Sequence, residues 1–386
     1  MRLAIITTHP IQYYAPVFKL LNNKPGNSIK VFYTLGNNGD GKFDHGFKRQ
    51  VSWDIPLLED YAYEWIVNTS KTPGSHHFKG VVTPSLIHQV EQWQPDAILV
   101  YGWAYNGHLK AIRHFKNKLP VYFRGDSTLL DAQKGFKAIL RSFFLRWVYS
   151  HIDHTFYVGS NSKAYFKKYG LKDSQLTFAP HATDNERFGA YRAIEANKLR
   201  ESLAIAPTEI LILFAGKFEE KKSPQLLLDA FLTLNMPGTH LLFVGNGILE
   251  IPLKNNASKN NNVHFLDFQN QSLMPVMYQA CDLFCLPSIG PGESWGLAVN
   301  EAMAAGKPVL VSDKCGCAAD LVTPGVTGEI FEAGNLPSII SKLKILITNS
   351  VALKIAGTEA QKKISTWTFE NQADIISSTV NKLYEN

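Results

Sequence analysis

The chain has 386 residues, 45% hydrophobic and 19% charged, with four cysteines and a formal net charge of +6. That length implies two globular domains, each able to bury a core without staples, so the cysteines are not needed as a disulfide framework. The mild positive charge suits phosphate-bearing ligands or an anionic membrane surface; on its own it makes no case for nucleic acid, and no zinc-finger or RNA-recognition pattern accompanies it. Met1-Arg2 leads directly into Leu3-Ala4-Ile5-Ile6, too short an apolar run for the core of a secretion signal. No stretch approaches the roughly 18 apolar residues of a spanning helix. The expected compartment is the reducing cytoplasm.

Taken in chain order, short apolar strands alternate with helices. Residues 2–7 and 29–33 read as strands, with helical spacing over 13–22 between them. Residues 36–48 are rich in Gly, Asn and Asp and read as a mobile loop. Residues 97–101 are continuously apolar after Gln94-Pro95-Asp96, as at the start of a central parallel strand. Residues 120–123 and 154–158 repeat the theme. The second half restarts it: strand 209–215, amphipathic helix 224–234, and strand 240–244 ending in Gly245-Asn246-Gly247. Strands 263–266, 283–286 and 308–311 follow, with helices over 272–279, 295–305, 336–347 and 369–384. The polar stretch 183–207 reads as the join. This alternation predicts an α/β chain with two parallel sheets covered by helices on both faces. The boundaries are 1–185, 186–366 and a terminal helical segment, 367–386.

The densest chemistry lies in 287–309. A buried strand ends in a Pro/Gly loop, Pro287-Ser288-Ile289-Gly290-Pro291-Gly292, which opens a helix near Trp295. Free N–H groups and the positive end of the helix dipole make such a start an anion site. Gly296 permits close approach of a ligand to the backbone. Glu293 stands before the helix and Glu301 about two turns within it, so one carboxylate can accept from sugar hydroxyls and the other from ribose hydroxyls. Gly306-Lys307-Pro308 then stops the helix. The bland alternative is a capping Glu and a second Glu on a solvated face.

This segment resembles the E-x7-E motif of retaining GT-B glycosyltransferases, specifically glycosyltransferase family 4. The resemblance implies two Rossmann-like domains facing across a cleft, with the last helix crossing back to the first domain. It makes Glu293 the contact to the transferred sugar and Glu301 the ribose ligand, with the backbone of Ser294, Trp295, Gly296 and Leu297 holding the donor phosphates. Upstream, Gly216-Lys217-Phe218-Glu219-Glu220-Lys221-Lys222-Ser223-Pro224 is similar to the family's Gly-Arg-Leu and Lys-Gly pattern. Lys217 takes the Arg place, without its bidentate fork, and Lys222 the Lys place; both would neutralise a departing diphosphate. The alternative for these lysines is a solvated turn. Gly245-Asn246-Gly247 resembles the Gly-x-Gly turn under the nucleotide, and Asp267-Phe268-Gln269 stands where the family's backbone often holds the base. Residues 178–188 resemble the family's linker segment, with His181 and Ala182 departing from Asn-Gly, so His181 reads equally as a turn residue. The likeness is good from about residue 158 onward and only an outline before it.

The first half is less legible. Thr7-Thr8-His9-Pro10-Ile11-Gln12-Tyr13-Tyr14 lacks the family's Gly-rich loop, and its aromatics either line a sugar-binding cleft or form a hydrophobic first helix turn. The segments at 101–108 and 124–127 follow strands at their carboxyl ends, where α/β sites form. Asp126 is the leading candidate there for a group reaching the reacting sugar, with Arg124 next; a structural Arg–Asp pair is the alternative. Over 134–148, Phe136, Ile139, Leu140, Phe143, Phe144, Trp147 and Val148 share a helical face, while Lys134, Lys137, Arg141 and Arg146 lie elsewhere. This is either a core-facing helix with solvated cations or an interfacial helix on anionic lipid.

Cys281, Cys285, Cys315 and Cys317 lack zinc-ligand spacing on loops, so no metal is expected and no cofactor beyond a nucleotide-sugar donor substrate. The resemblance implies retaining transfer of a sugar from a UDP- or GDP-sugar to a glycan or lipid-linked acceptor of the cell envelope, at the inner membrane face, without a metal. Its competitors are a nucleotide-sugar 2-epimerase of the same fold and a non-catalytic partner subunit.

Overall fold

A computed structural model describes residues 1–36, 42–44, 49–132 and 135–385. Most of the loop expected over 36–48 lies outside these residues, as does Lys134 of the amphipathic segment. The chain divides into two compact units. One comprises Met1–Gly39, Pro56–His181 and Phe369–Asn386; the other comprises Asp40–Ile55 and Ala182–Thr368.

In the first unit the strands are β1 (Arg2–Thr7), β2 (Ser28–Tyr33), β5 (Ala62–Trp65), β6 (Ala97–Tyr101), β7 (Val121–Gly125), β8 (His154–Tyr157) and β9 (Leu176–Phe178). They form one sheet in the order β5-β2-β1-β6-β7-β8-β9, paired in parallel throughout. Ile5 of β1 lies between Val31 and Leu99 in register, and every residue of β6 is buried. A strand covered on both faces must be apolar on both, which is why β6 reads as an unbroken run. The chain moves outward from β1 in both directions, so its carboxyl end is a topological switch point. The terminal helix Phe369–Glu385 packs on helix Ala15–Asn22, tied by Asn27 Nδ2 to Ser377 Oγ at 2.9 Å and by the ion pair Lys24–Asp374.

The second unit holds the short hairpin of β3 (Lys42–Asp44) and β4 (Arg49–Val51), which the sequence reading did not anticipate. Its main strands are β10 (Ile210–Ala215), β11 (Thr239–Val244), β12 (Val263–Leu266), β13 (Leu283–Leu286), β14 (Val309–Ser312) and β15 (Gly328–Phe331). They form a parallel sheet in the order β12-β11-β10-β13-β14-β15, with the switch point between β10 and β13. A core of Ile212, Phe214, Leu227, Phe243, Leu310, Ile339 and Leu343 fills one face.

Two expectations change. The polar stretch 183–207, for which no element was expected, carries helices Asn185–Gly189 and Ala193–Ser202. The first is capped by Asp184, whose carboxylate accepts from the Arg187 N–H at 2.9 Å. Long-range bonds anchor both, with Arg187 reaching Gln271 and Arg200 reaching Asp282 at 3.0 Å. Helix Phe136–Tyr149 turns only Leu145, Val148 and Tyr149 inward. Phe136, Ile139, Leu140, Phe143, Phe144 and Trp147 are exposed, Phe136 at 72% and Phe143 at 69%. The core-facing reading therefore fails for most of this face. Among the described residues no helix is long and apolar enough to cross a membrane.

Candidate functional site

In the second unit the carboxyl ends of β10, β11 and β13 gather the residues singled out in the sequence. After β13 the chain turns through 287–296 into helix Leu297–Ala304. That helix begins two residues later than expected because Gly296 is left-handed (φ +96°) and closes the turn in front of it. A side chain at Gly296 would be strained and would press on Leu286 at 3.0 Å. No side chain caps the helix start; the Val299 N–H donates to the Gly296 carbonyl at 2.9 Å, and the first N–H groups of the helix have no carbonyl four residues back within it.

Glu293 is buried, with 8% exposure. Its Oε2 accepts a hydrogen bond from Ser288 Oγ at 2.8 Å and forms an ion pair with the Lys222 ammonium. Lys222 ends the 3₁₀ turn Glu220–Lys222 after β10. That turn is fastened to the β13 loop by the Ile289 N–H donating to the Lys221 carbonyl at 2.9 Å. The two elements thus bring Lys222 and Glu293 together across 71 residues of sequence. Ser288 was missed; it lies inside the quoted motif but carries no signature of its own.

Glu301 is 4% exposed and accepts from the Tyr278 hydroxyl at 2.8 Å. It is therefore a held carboxylate on an inner helix face, not on a solvated one. Tyr278 lies in helix Met274–Ala280 and is fully buried; no local pattern marks it. Trp295 is placed differently from its partners in the motif. Its indole N–H donates to Asn300 Oδ1 at 2.8 Å and its ring stacks on Trp367 at 5.3 Å. Its side chain is thus used within the unit, leaving only backbone for a ligand. Ser294 and Leu297 are half-buried beside it. Lys217 is half-buried in the bend after β10.

Gly216 and Gly245 meet where β10 and β11 end. A Cβ on Gly245 would stand 2.0 Å from the Gly216 carbonyl oxygen, so backbone contact there demands glycine. Asn246 beyond it donates to Asp267 Oδ1 at 3.0 Å and accepts from the Phe268 N–H at 2.9 Å. All four thiols are buried and unpaired with one another. Burial pushes Cys315 up to about 12, with the Glu293 charge adding to it, so a neutral thiol lies behind the carboxylate.

In the first unit, Arg124 is buried and donates to the carbonyls of Ala179 (2.9 Å) and Pro180 (3.0 Å). It braces the chain after β9 and is not displayed to a ligand. Asp126 is half-buried after β7, and its charge raises the phenols of Tyr14 and Tyr105 after burial has done so first. The Tyr14 ring is tilted against Tyr101 at 4.8 Å and stacks on His181 at 6.1 Å. Burial first, and Arg124 second, push His181 down to about 3, so it is neutral there. His108 is a satisfied core residue: it bridges Thr34 Oγ1 and the Gly102 carbonyl, each at 2.8 Å, and burial pushes it down to about 4.

With this geometry in hand, residues 195–363 match the model of the family "Glycosyl transferases group 1". The chain is similar to a D-inositol 3-phosphate glycosyltransferase of Rhodococcus erythropolis, 28% identical over 55% of this chain and 50% of that protein. It is also similar to a phosphatidyl-myo-inositol mannosyltransferase of Mycobacterium leprae, 29% identical over 45% and 46%. The chain spans about half the length of these curated relatives. Among solved structures, Anabaena Alr3699/HepE in complex with UDP superposes with a TM-score of 0.73 at 20% identity, covering 99% of this chain and 100% of that one. A sucrose-phosphate synthase of Thermosynechococcus elongatus gives 0.74 at 16%, covering 100% and 99%. At these identities the likeness establishes the fold, which is GT-B.

Proposed function

From the match of residues 195–363 to the glycosyl transferases group 1 model, we propose that the chain is a retaining glycosyltransferase. It moves a sugar from a nucleotide-sugar donor, a UDP- or GDP-sugar, to a glycan or lipid-linked acceptor in cell-envelope polysaccharide synthesis. The observation that carries this reading is the Lys222–Glu293 pair at the uncapped start of Leu297–Ala304, with the buried Glu301 two turns on.

The donor occupies the second unit. Its diphosphate lies at the helix start, against the backbone of Ser294, Trp295, Gly296 and Leu297, with Lys222 and Lys217 meeting the charge that develops on departure. Gly216 and Gly245 let the nucleotide approach the strand ends closely. Glu301, oriented by Tyr278, accepts from the ribose hydroxyls. Glu293, oriented by Ser288, accepts from hydroxyls of the transferred sugar. The acceptor's hydroxyl attacks from the face the diphosphate leaves, its proton passes to the leaving phosphate, and the anomeric configuration is kept. Asp126 serves the acceptor in the first unit. These groups meet the charge of the leaving diphosphate without a metal ion.

The solved relative holding UDP supports a uridine donor, and the named relatives, being glycosyltransferases, favour transfer over 2-epimerisation. A non-catalytic subunit would be expected to have lost Glu293, Glu301 and Lys222, all of which are present. The exposed apolar face of Phe136–Tyr149, flanked by Lys137, Arg141 and Arg146, supports peripheral contact with an anionic membrane carrying a lipid-linked acceptor, at the cytoplasmic face.

Calorimetric titration of UDP, GDP, ADP and TDP into the wild type and Glu301→Ala tests the donor site. One nucleotide should bind at micromolar strength and lose affinity with the substitution. Binding to none, or binding indifferent to Glu301, would sink the reading. An inverted anomer in the product would refute retention.

A further inference from the structure

Ser312 is the last residue of β14 and is fully buried. No sequence motif marks it. A buried hydroxyl has to give its one proton to a partner, and this one donates to the Ser288 carbonyl. It also accepts from the Lys314 N–H at 3.3 Å, with the Cys315 thiol 3.6 Å away. Its orientation is therefore fixed from both sides. The bond extends the sheet where the sheet itself stops. Strands β13 and β14 pair as far as Leu286 opposite Val311, and the chain leaves the ladder at Pro287. Ser288 lies past that point, and the Ser312 side chain supplies the donor that the ladder would have given its carbonyl.

The turn after β14 grips the same loop a second time, through backbone. The Gly316 N–H donates to the Glu293 carbonyl at 3.1 Å and the Cys317 N–H to the Trp295 carbonyl at 2.9 Å. A Cβ on Gly316 would stand 1.7 Å from the Ser294 carbonyl oxygen, so only glycine allows this approach. These contacts fix where the Glu293 backbone stands, not where its carboxylate points. Direction comes from Ser288, whose carbonyl is held by Ser312 and whose hydroxyl donates to Glu293 Oε2 at 2.8 Å. Lys222 takes the same oxygen. Among the described residues Glu293 Oε1 accepts no hydrogen bond, and it lies 3.7 Å from where a Cβ on Gly296 would stand. With Oε2 taken twice, Oε1 is the oxygen turned toward the helix start and left to a ligand hydroxyl.

We infer that Ser312 is a positioning residue for Glu293, acting through Ser288 to hold Oε1 toward the sugar that is transferred. The inference rests on the reading of Glu293 given above. Ser312 touches no ligand itself. Without its hydroxyl the Ser288 carbonyl loses its donor, the peptide can turn, and the Ser288 hydroxyl no longer meets the carboxylate at one fixed place. A nucleoside diphosphate without a sugar does not feel that change; the step that moves the sugar does.

The test measures release of nucleoside diphosphate from UDP-glucose, GDP-mannose, ADP-glucose and TDP-glucose with water as acceptor, and calorimetric binding of the matching free nucleotides. The proteins are wild type, Ser312→Ala, Ser312→Thr, Ser288→Ala, the Ser312→Ala/Ser288→Ala double variant and Glu293→Gln. Ser312→Ala should lower kcat about three- to tenfold, the range of one neutral hydrogen bond, and leave nucleoside diphosphate affinity within about twofold of wild type. That unchanged affinity also reports that the variant is folded. Ser312→Thr, which keeps a hydroxyl, should retain most of the rate. Ser288→Ala should lower kcat about ten- to a hundredfold, as for a bond to a charged group. The double variant should match Ser288→Ala within about twofold, because Ser312 acts only through Ser288. If the two losses multiply instead, Ser312 does not act through Ser288 and the inference is wrong. It is equally wrong if Ser312→Ala turns over like wild type while Ser288→Ala and Glu293→Gln are impaired, in which case the reading of Glu293 stands alone. If nucleoside diphosphate affinity falls in step with kcat in Ser312→Ala, Ser312 supports the loop as a whole and positions nothing. If wild type releases nucleotide from none of the donors, or Glu293→Gln matches it, the reading of Glu293 fails and takes the inference with it.

Discussion

Replacing Glu293 by Gln separates what this carboxylate does for the fold from what it does for the sugar. In the structure its Oε2 takes both the Ser288 hydroxyl and the Lys222 ammonium, with 9% of the Glu293 side chain and 20% of the Lys222 side chain exposed. A glutamine keeps an acceptor for Ser288 and loses the charge facing Lys222. Hydrogen bonds to charged groups contribute about 1.5–3 kcal/mol, and the partly exposed lysine recovers some hydration, so the loss should be about 1–2 kcal/mol in urea unfolding. Lys222→Met, which leaves a buried carboxylate without its cation, should cost more. The double variant should recover part of the sum, giving a coupling of about 1–2 kcal/mol from the cycle. The functional consequence runs in two directions. Freed from Glu293, Lys222 should hold a diphosphate more tightly, raising nucleotide affinity a few-fold. The sugar loses its charged acceptor, so kcat should fall about 10- to 100-fold. Calorimetry and steady-state rates with the matched donor and acceptor read the two effects. A coupling near zero, or nucleotide affinity that falls in parallel with the rate, would refute the reading of the pair as a preorganised site in which Lys222 meets the diphosphate and Glu293 the sugar.

Gly245→Ala should destabilise the second unit by roughly 2–4 kcal/mol, since the new Cβ meets the Gly216 carbonyl at 2.0 Å with φ at +141°; a urea midpoint within error of wild type would contradict this. Burial holds His108 at about 4 in the fold against 6.5 unfolded. The unfolded chain therefore binds more protons between those values, and stability is complete above about pH 6.5 and lost as pH falls toward 4. The loss is about 3 kcal/mol from this residue. His181 acts in the same sense. Unfolding midpoints from pH 7 to 4.5 should flatten in His108→Gln; parallel curves would count against it. The wild type should sediment with vesicles containing phosphatidylglycerol and not with phosphatidylcholine alone, and Ile139→Asp with Phe143→Asp should abolish this while leaving nucleotide binding intact. Equal sedimentation of the variant would exclude Phe136–Tyr149 as the lipid-facing surface.

The parts of the fold legible in the sequence are those where burial leaves a continuous imprint. Residues of β6 and β13 are covered on both faces and read as unbroken apolar runs. Helices Asn185–Gly189 and Ala193–Ser202 left no such trace, because Arg187 and Arg200 anchor them through bonds 80 or more residues away rather than through an apolar stripe. Periodicity found the apolar face of Phe136–Tyr149 but could not say whether anything covers it, since a covered and an uncovered face have the same spacing. At the candidate site Glu293, Glu301 and Lys222 stand in quotable motifs. Tyr278, Ser288 and Ser312 do not: they orient through geometry that exists only once the strand ends converge.

The helix Phe369–Glu385 buries Phe369, Ala373, Ile376 and Val380 as part of the first unit. During synthesis that unit cannot finish when His181 emerges from the ribosome. About 200 further residues must be made, a delay of roughly 10–40 s at cellular translation rates. Meanwhile the face of Ala15–Asn22 that the helix will cover is bare, and the second unit, Asp40–Ile55 with Ala182–Thr368, is complete first. The first half of the chain is thus the last to be completed, and it is the part whose nascent form most needs shielding from aggregation.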